Sequence, residues 1–287
     1  MLDAADGVTL PETFAEDITL FRGESQKQPH GRVFGGQVLA QGVIASGRTV
    51  ATLPGERRRL HSLHAYFMRP GDDTQPITFS VERMRDGRSF STRRVHAVQH
   101  GKPILSMSAS FQVPDGGVDH QDTMPQVPGP ESLRSLRDTF AGIDDPRARH
   151  LVDRAIDQRH VEGDLFTGVR TPGAEQHVWM RAVGSLPDDP LVHEAVLAYA
   201  SDYSLLEPIL RRHGLPWTTP GLRMASLDHA MWFHRPARAD EWVLYAEESP
   251  SAEGGRGLGL GRMFAADGTL VATVAQEGMV RVPGPTD

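Results

Sequence analysis

The sequence predicts an α+β chain built from two copies of one unit, each a helix followed by an antiparallel sheet. Three observations carry this. The string Tyr66-Phe67-Met68-Arg69-Pro70 returns as Trp232-Phe233-His234-Arg235-Pro236, an offset of 166 residues. Alternating strand patterns and turn residues follow both strings in the same order. A helical run precedes each. At 287 residues, the length suits one large unit or two modules.

The elements follow in order. Val38, Leu39, Gly42, Val43 and Ala45 give an apolar, small-residue helix over Gly35 to Val50, bounded by Pro54-Gly55. Ile77, Phe79 and Val81 alternate with Thr78, Ser80 and Glu82, a strand with one buried face. Asp86-Gly87 turns the chain into a strand over Phe90 to Gln99. His100-Gly101 turns it again into one over Ile104 to Val113. In the second copy, a helix is expected from Leu191 to Arg212, stopped by Gly214 and Pro216, with Arg211, Arg212 and His213 complementing its C-terminal dipole. Leu258 to Phe264, Asp267-Gly268 and Leu270 to Val282 repeat the closing hairpin. The chain thus divides into an N-terminal repeat (1–113), a linker (114–175) rich in Pro and Gly with a polar helical stretch from Glu131 to Asp138, and a C-terminal repeat (176–287). One such sheet leaves an exposed edge, which a second copy can relieve.

Composition narrows the function. A net charge of −7 without a basic stretch argues against a nucleic-acid partner. The chain has no cysteine, so no disulfide, thiolate nucleophile or Cys-ligated metal can form, and any sulfur chemistry belongs to a substrate. Asp3, Asp6, Glu12 and Glu16 leave no signal-peptide pattern at the start, and the closing Pro-Gly-Pro-Thr-Asp is no sorting address. No apolar run is long enough to span a membrane. A cytoplasmic protein without membrane insertion is expected.

Several motifs carry little. His61 and His64, His96 and His100, and His229 and His234 lack a third ligand at metal spacing, so surface or hydrogen-bonding roles are expected and no metal is. The run Gly254-Gly255-Arg256-Gly257-Leu258-Gly259-Leu260-Gly261 is no nucleotide loop and fits a bent strand. Arg57-Arg58-Arg59 and Arg93-Arg94 read as solvated surface, with phosphate contacts as the alternative. A GxSxG elbow is missing.

Three residues stand out instead. Asp202 falls on the apolar stripe of Ala195, Ala198, Tyr199, Leu206 and Ile209, where a carboxylate is costly unless it is paired, hydrogen-bonded or functional, or unless the helix breaks near Ser201-Asp202. Ser226 shares a strand face with Leu222 and Met224. Gln276 interrupts the face of Leu270, Ala272 and Val274. Their counterparts in the first copy are Gly36, Leu60 and Ser110, none of them a base. The second copy keeps a site that the first lacks.

These residues, with Val33-Phe34-Gly35-Gly36-Gln37, His61-Ser62-Leu63-His64-Ala65-Tyr66-Phe67-Met68-Arg69-Pro70, Leu227-Asp228-His229-Ala230-Met231-Trp232-Phe233-His234-Arg235-Pro236 and Val274-Ala275-Gln276-Glu277-Gly278, resemble the acyl-CoA thioesterase II family from about Leu20 to Val282, apart from the middle. The resemblance implies a double hotdog fold and hydrolysis of acyl-CoA to fatty acid and CoA without a cofactor or covalent intermediate. It implies a catalytic trio of Asp202, Ser226 and Gln276, with Ser226 where some members have Thr. In that frame Asp202 deprotonates a water held by Ser226 and Gln276, and partial desolvation suits a general base. The helix start at Gly35, Gly36 and Gln37 is the candidate substrate-binding stretch for the oxyanion. Members often pair, so a homo-oligomer, dimer or tetramer, is implied. The alternatives are a non-catalytic acyl-CoA binding protein and a hotdog enoyl-CoA hydratase, whose Asn and His positions hold Ser204 and Glu207 here.

Overall fold

The computed structural model describes residues 2–4, 17–144, 149 and 151–282. Asp6, Glu12 and Glu16 and the closing Pro-Gly-Pro-Thr-Asp lie outside them. The chain folds as two compact units. Unit 1 holds Met1–Asp119, Pro187–Tyr199 and Ala230–Phe233, and unit 2 holds His120–Leu186, Ala200–His229 and His234–Asp287.

In unit 1, β1 (Leu2–Ala4), β2 (Ile18–Gly23), α1 (Gly35–Ala51), β3 (Arg59–Phe67), β4 (Ile77–Asp86), β5 (Phe90–Gln99) and β6 (Lys102–Gln112) follow one another. The strands lie side by side in the order β1-β2-β4-β5-β6-β3, all through antiparallel ladders. His100 and Gly101 both take positive φ, 49° and 69°, so the β5–β6 turn has the handedness that matches strand twist. Helix α1 lays Val38, Leu39 and Val43 on Phe79, Val81, Val95 and Met107, all fully or nearly fully buried. Burying such side chains contributes about 2 kcal/mol each, before the entropy of ordering them. Arg93 departs from the surface role expected of it. It is fully buried and donates from Nε to Thr49 Oγ1 of α1 at 2.8 Å, with Asp86 as its ion-pair partner.

Unit 2 contains α2 (Leu136–Phe140), β7 (Ile156–His160) and β8 (Glu175–Ala182). Then come α3 (Pro190–Ser201), α4 (Glu207–Arg212), β9 (Arg223–Ser226), β10 (Asp228–Phe233), β11 (Val243–Glu253), β12 (Arg256–Ala265) and β13 (Leu270–Arg281). Most of α3, and Ala230–Phe233 of β10, belong to unit 1, where Leu191 lies against Gly47 of α1. The sheet of unit 2 runs β13-β12-β11-β8-β7, and β9 pairs with β13. Met124, Val127 and Leu133 cover a cluster of Trp179, Leu244, Phe264 and Leu270, and Trp179 Nε1 donates to the Pro128 carbonyl at 2.9 Å. The Pro-rich stretch therefore caps one face of this sheet.

The single helix expected over Leu191–Arg212 is two helices. Pro208 is the cause: it has no N–H for the carbonyl four residues back, and its ring would clash there, so the helix cannot run through it. Helix α4 restarts with Pro208 in its first turn. Arg211 lies in the last turn of α4, as its place beside the helix C-terminus implied, but not at the surface. It is fully buried, and it donates to Gln176 and to the carbonyls of Glu162, Gly163 and Thr171.

Candidate active site

The turn from Asp202 to Leu206 sets the site. It begins where α3 ends and rests on bare strand. A Cβ on Gly259 would lie 2.2 Å from the Leu205 carbonyl oxygen. One on Gly257 would strike Ile209, and one on Gly278 would strike Leu206. The glycine run is thus a strand whose side chains were removed from one face so that backbone could approach it. Tyr245, fully buried, donates its hydroxyl to the Ser201 carbonyl at 3.3 Å and fixes the helix end from below.

On this support the three residues meet. Gln276 Nε2 donates to Asp202 Oδ1 at 2.9 Å and to Ser226 Oγ at 2.6 Å. Ser226 Oγ donates to the same Asp202 oxygen at 3.2 Å. The β9–β13 register places Ser226 opposite Gly278, a diagonal step from Gln276 on the same face. Gln276 is buried, whereas Asp202 and Ser226 are only partly so. A carboxylate accepts only, so the amide must present its NH2 group to Asp202 and its oxygen elsewhere.

That oxygen meets His229, for which a surface or hydrogen-bonding role was expected, without a named partner. His229 is fully buried on β10, and its Nδ1 lies against Gln276 Oε1 while its Nε2 receives Ser201 Oγ at 2.9 Å. Burial pushes the His229 pKa down to about 4, against a smaller upward pull from the Gln276 bond, so the ring is neutral near pH 7. The available signal was its phase: His229 alternates inward with Met231 on β10.

Beneath the turn lies a second polar cluster. Glu207 accepts from His160 at 3.2 Å, Gln176 at 2.8 Å and Trp217 at 2.8 Å. Glu247 accepts from Ser204 at 2.7 Å and from Gln176 at 3.0 Å. Burial raises both carboxyls. For Glu207 the three hydrogen bonds outweigh it and the pKa falls below the usual range, whereas Glu247 is held well above it. The two positions where a hydratase would need Asn and His are therefore a buried serine and a buried glutamate, both engaged inside this cluster. Among the described residues, no group of three His, Asp or Glu side chains is placed to hold a metal ion.

Gly35, Gly36 and Gln37 open α1 in unit 1. A Cβ on Gly36 would lie 2.4 Å from the Tyr199 carbonyl oxygen. The Gln37 side chain is buried and occupied with the Glu24 carbonyl, the Gln26 amide and Gln41, and its own N–H bonds the Phe34 carbonyl.

Comparison with known proteins now decides the family. A model described as acyl-CoA thioesterase matches residues 147–279, and one described as acyl-CoA thioesterase N-terminal domain matches residues 24–112. The chain belongs to the acyl-CoA thioesterase II family. Among its relatives, acyl-CoA thioesterase 2 of Haemophilus influenzae is 40% identical over 271 residues, covering 92% of this chain and 93% of that one. The crystal structure of an acyl-CoA thioesterase II from Mycobacterium marinum is similar with a TM-score of 0.76 and 43% identity, covering 93% of this chain and 94% of that one. A protein of unknown function with a hot dog fold from Alicyclobacillus acidocaldarius aligns with a TM-score of 0.74 over 96% of this chain and all (100%) of its own, but at 19% identity it shares the fold alone. This thioesterase is thus an α+β double hotdog protein, and its class is thioester hydrolase. Among the described residues, no helix is long and apolar enough to cross a membrane.

Proposed function

We propose that this thioesterase hydrolyses fatty acyl-CoA to the free fatty acid and CoA by direct attack of water, with Asp202 as general base. The observation that carries this is the convergence of the Ser226 hydroxyl and the Gln276 amide on one oxygen of the Asp202 carboxylate. Two donors fix the carboxylate in one orientation, which is the precondition for taking a proton from a positioned water. The water oxygen then bonds the thioester carbonyl carbon while its proton passes to Asp202, with Ser226 and Gln276 holding base and water together. Collapse of the tetrahedral oxyanion breaks the C–S bond. The sulfur leaves as thiolate and recovers the proton from Asp202, giving acid and thiol.

Without a cysteine the chain offers no thiolate to form an acyl-enzyme, which fits a water attack. In unit 1, the start of α1 at Gly35 and Gly36 is the stretch proposed to bind substrate. It is backbone bare of side chains at the N-terminus of a 17-residue helix, where amide N–H groups favour negative charge.

Asp202→Asn keeps the shape and removes the base. Release of free thiol from a palmitoyl-CoA or octanoyl-CoA substrate should fall by about a thousandfold, the scale of losing a general base. Turnover near that of the unmodified enzyme, with unchanged thermal unfolding, would overturn the role given to Asp202.

A further inference from the structure

His229 takes no part in the steps above, yet its buried ring touches the trio through Gln276. Its contacts have a direction. Asp202 accepts from Gln276 Nε2, so Gln276 Oε1 must face the other way, toward His229 Nδ1. An amide oxygen only accepts, so Nδ1 carries the hydrogen. In a neutral ring Nε2 is then an acceptor, and Ser201 Oγ at 2.9 Å is its donor. Three bonds thus run in one sense: Ser201 to His229, His229 to Gln276, Gln276 to Asp202. Ser201 immediately precedes Asp202 in the chain, so the relay begins and ends on neighbouring residues and ties the end of α3 to β10 and β13.

We propose that His229 is a positioning residue: as the Nδ1–H tautomer, held so by Ser201, it locks the Gln276 amide with its NH2 group toward Asp202. The other tautomer would set two lone pairs against each other at Nδ1 and Oε1. The amide would then gain by turning over, which would bring Oε1 onto the Asp202 carboxylate, two acceptors at 2.9 Å. At that distance the base would be pushed out of the orientation that Ser226 and Gln276 hold. The full burial of His229 makes the choice of tautomer matter, because the ring stays neutral and carries a single hydrogen near pH 7.

The inference rests on Asp202 being the base, and the test separates the two. Purified full-length enzyme is assayed by thiol release from an acyl-CoA, in five forms: unmodified, H229L, H229N, Q276A and the double variant H229L/Q276A. H229L removes the Nδ1–H donor and should lower kcat by about ten- to hundredfold, the scale seen when an orienting partner behind a functional group is lost, with KM changed by less than about threefold. H229N places an amide N–H near Nδ1 and should restore kcat to within about fivefold. In the Q276A background there is no amide left to orient, so H229L should cost no more than about twofold further.

A structural role alone would lower activity equally in both backgrounds, and that additivity overturns the proposal. So does an H229L enzyme within twofold of the unmodified one. Should H229L fail to fold by circular dichroism, H229N and H229Q decide instead. H229Q extends its donor to the position of Nε2 and should lose kcat where H229N keeps it; equal kcat values overturn the proposal. If D202N is active, the assignment of the base falls. If D202N is inactive while the cycle is additive, only the relay falls.

Discussion

The two copies share their strands and differ in how the helix meets the sheet. In the first, α1 runs unbroken over Gly35–Ala51, and the strand beneath it sends up Ser91, Arg93 and Val95, all fully buried. In the second, the positions at the 166-residue offset are Gly257, Gly259 and Gly261, and the helix has given way to the turn at Asp202–Leu206 and the short α4. Arg93 reaches up to Thr49 and holds a continuous helix at a distance. Gly259 holds nothing, and the Leu205 carbonyl settles onto it. One copy uses these positions to build a core. The other empties them, so that a broken helix end can sink onto the sheet and bring a carboxylate beside an amide on β13.

Restoring side chains to the bare strand breaks this difference with the largest expected effect. Gly259→Ala puts a methyl group 2.2 Å from the Leu205 carbonyl, and backbone must move to admit it. Overpacking of this kind costs about 3 kcal/mol. A shift of roughly 1 Å in Asp202 should lower kcat by about a hundredfold. Thiol-release kinetics and denaturant unfolding measure both. If activity and stability both stay within twofold and about 0.5 kcal/mol, the turn does not depend on the bare strand.

Much of this contrast was legible in the sequence. Asp202, Ser226 and Gln276 each interrupt an apolar face, and a polar residue at an inward position is visible from period alone. The strands were legible because alternation in β4 and turn pairs such as Asp86-Gly87 and Asp267-Gly268 are local signals. The break in the second helix was written in Pro208, which the apolar spacing around it obscured. His229 was harder. A lone inward histidine has no meaning until Gln276 from β13 and Ser201 from α3 close on it from either side. The partners of Glu207 and Glu247 were not legible, because they come from β7, β8, the Asp202–Leu206 turn and the segment after α4, and no spacing in the chain joins them. Arg93 misled for the same reason. A charged residue reads as surface until its buried partners are known.

The cluster under the turn holds two buried acids, Glu207 and Glu247, and they sharpen the comparison next. Glu207 is ionised and accepts three hydrogen bonds. Glu207→Gln supplies one acceptor oxygen where three donors converge, so its NH2 group meets a donor head-on, and it removes the carboxylate that most favours the buried Arg211 charge. A loss of about 3 kcal/mol at pH 7 is expected from denaturant unfolding. The sign follows from its lowered pKa: stability from Glu207 is present above the ordinary glutamate range and lost as pH falls through the folded value. The deficit of the variant should therefore shrink on acidification below about pH 4. A deficit constant with pH would mean that shape, not charge, is what Glu207 contributes.

Glu247 should behave in the opposite way and with the smallest effect at mild acidity. Burial raises its pKa well above the ordinary glutamate range, so the folded protein holds a proton that the unfolded chain releases. Such a group contributes stability fully below the unfolded pKa and loses it as pH rises from there toward the folded value. Glu247→Gln fixes the neutral form: its oxygen can accept from Gln176 and its NH2 group can donate to Ser204, whose hydroxyl turns to accept. At pH 4 the variant and the unmodified enzyme should unfold alike. One pH unit above the ordinary glutamate pKa, the variant should be the more stable by about 1 kcal/mol, the gap widening by at most about 1.4 kcal/mol per further unit. Parallel stability curves across that range would show Glu247 ionised in the fold, and the turn that carries Asp202 would then rest on two buried anions rather than one.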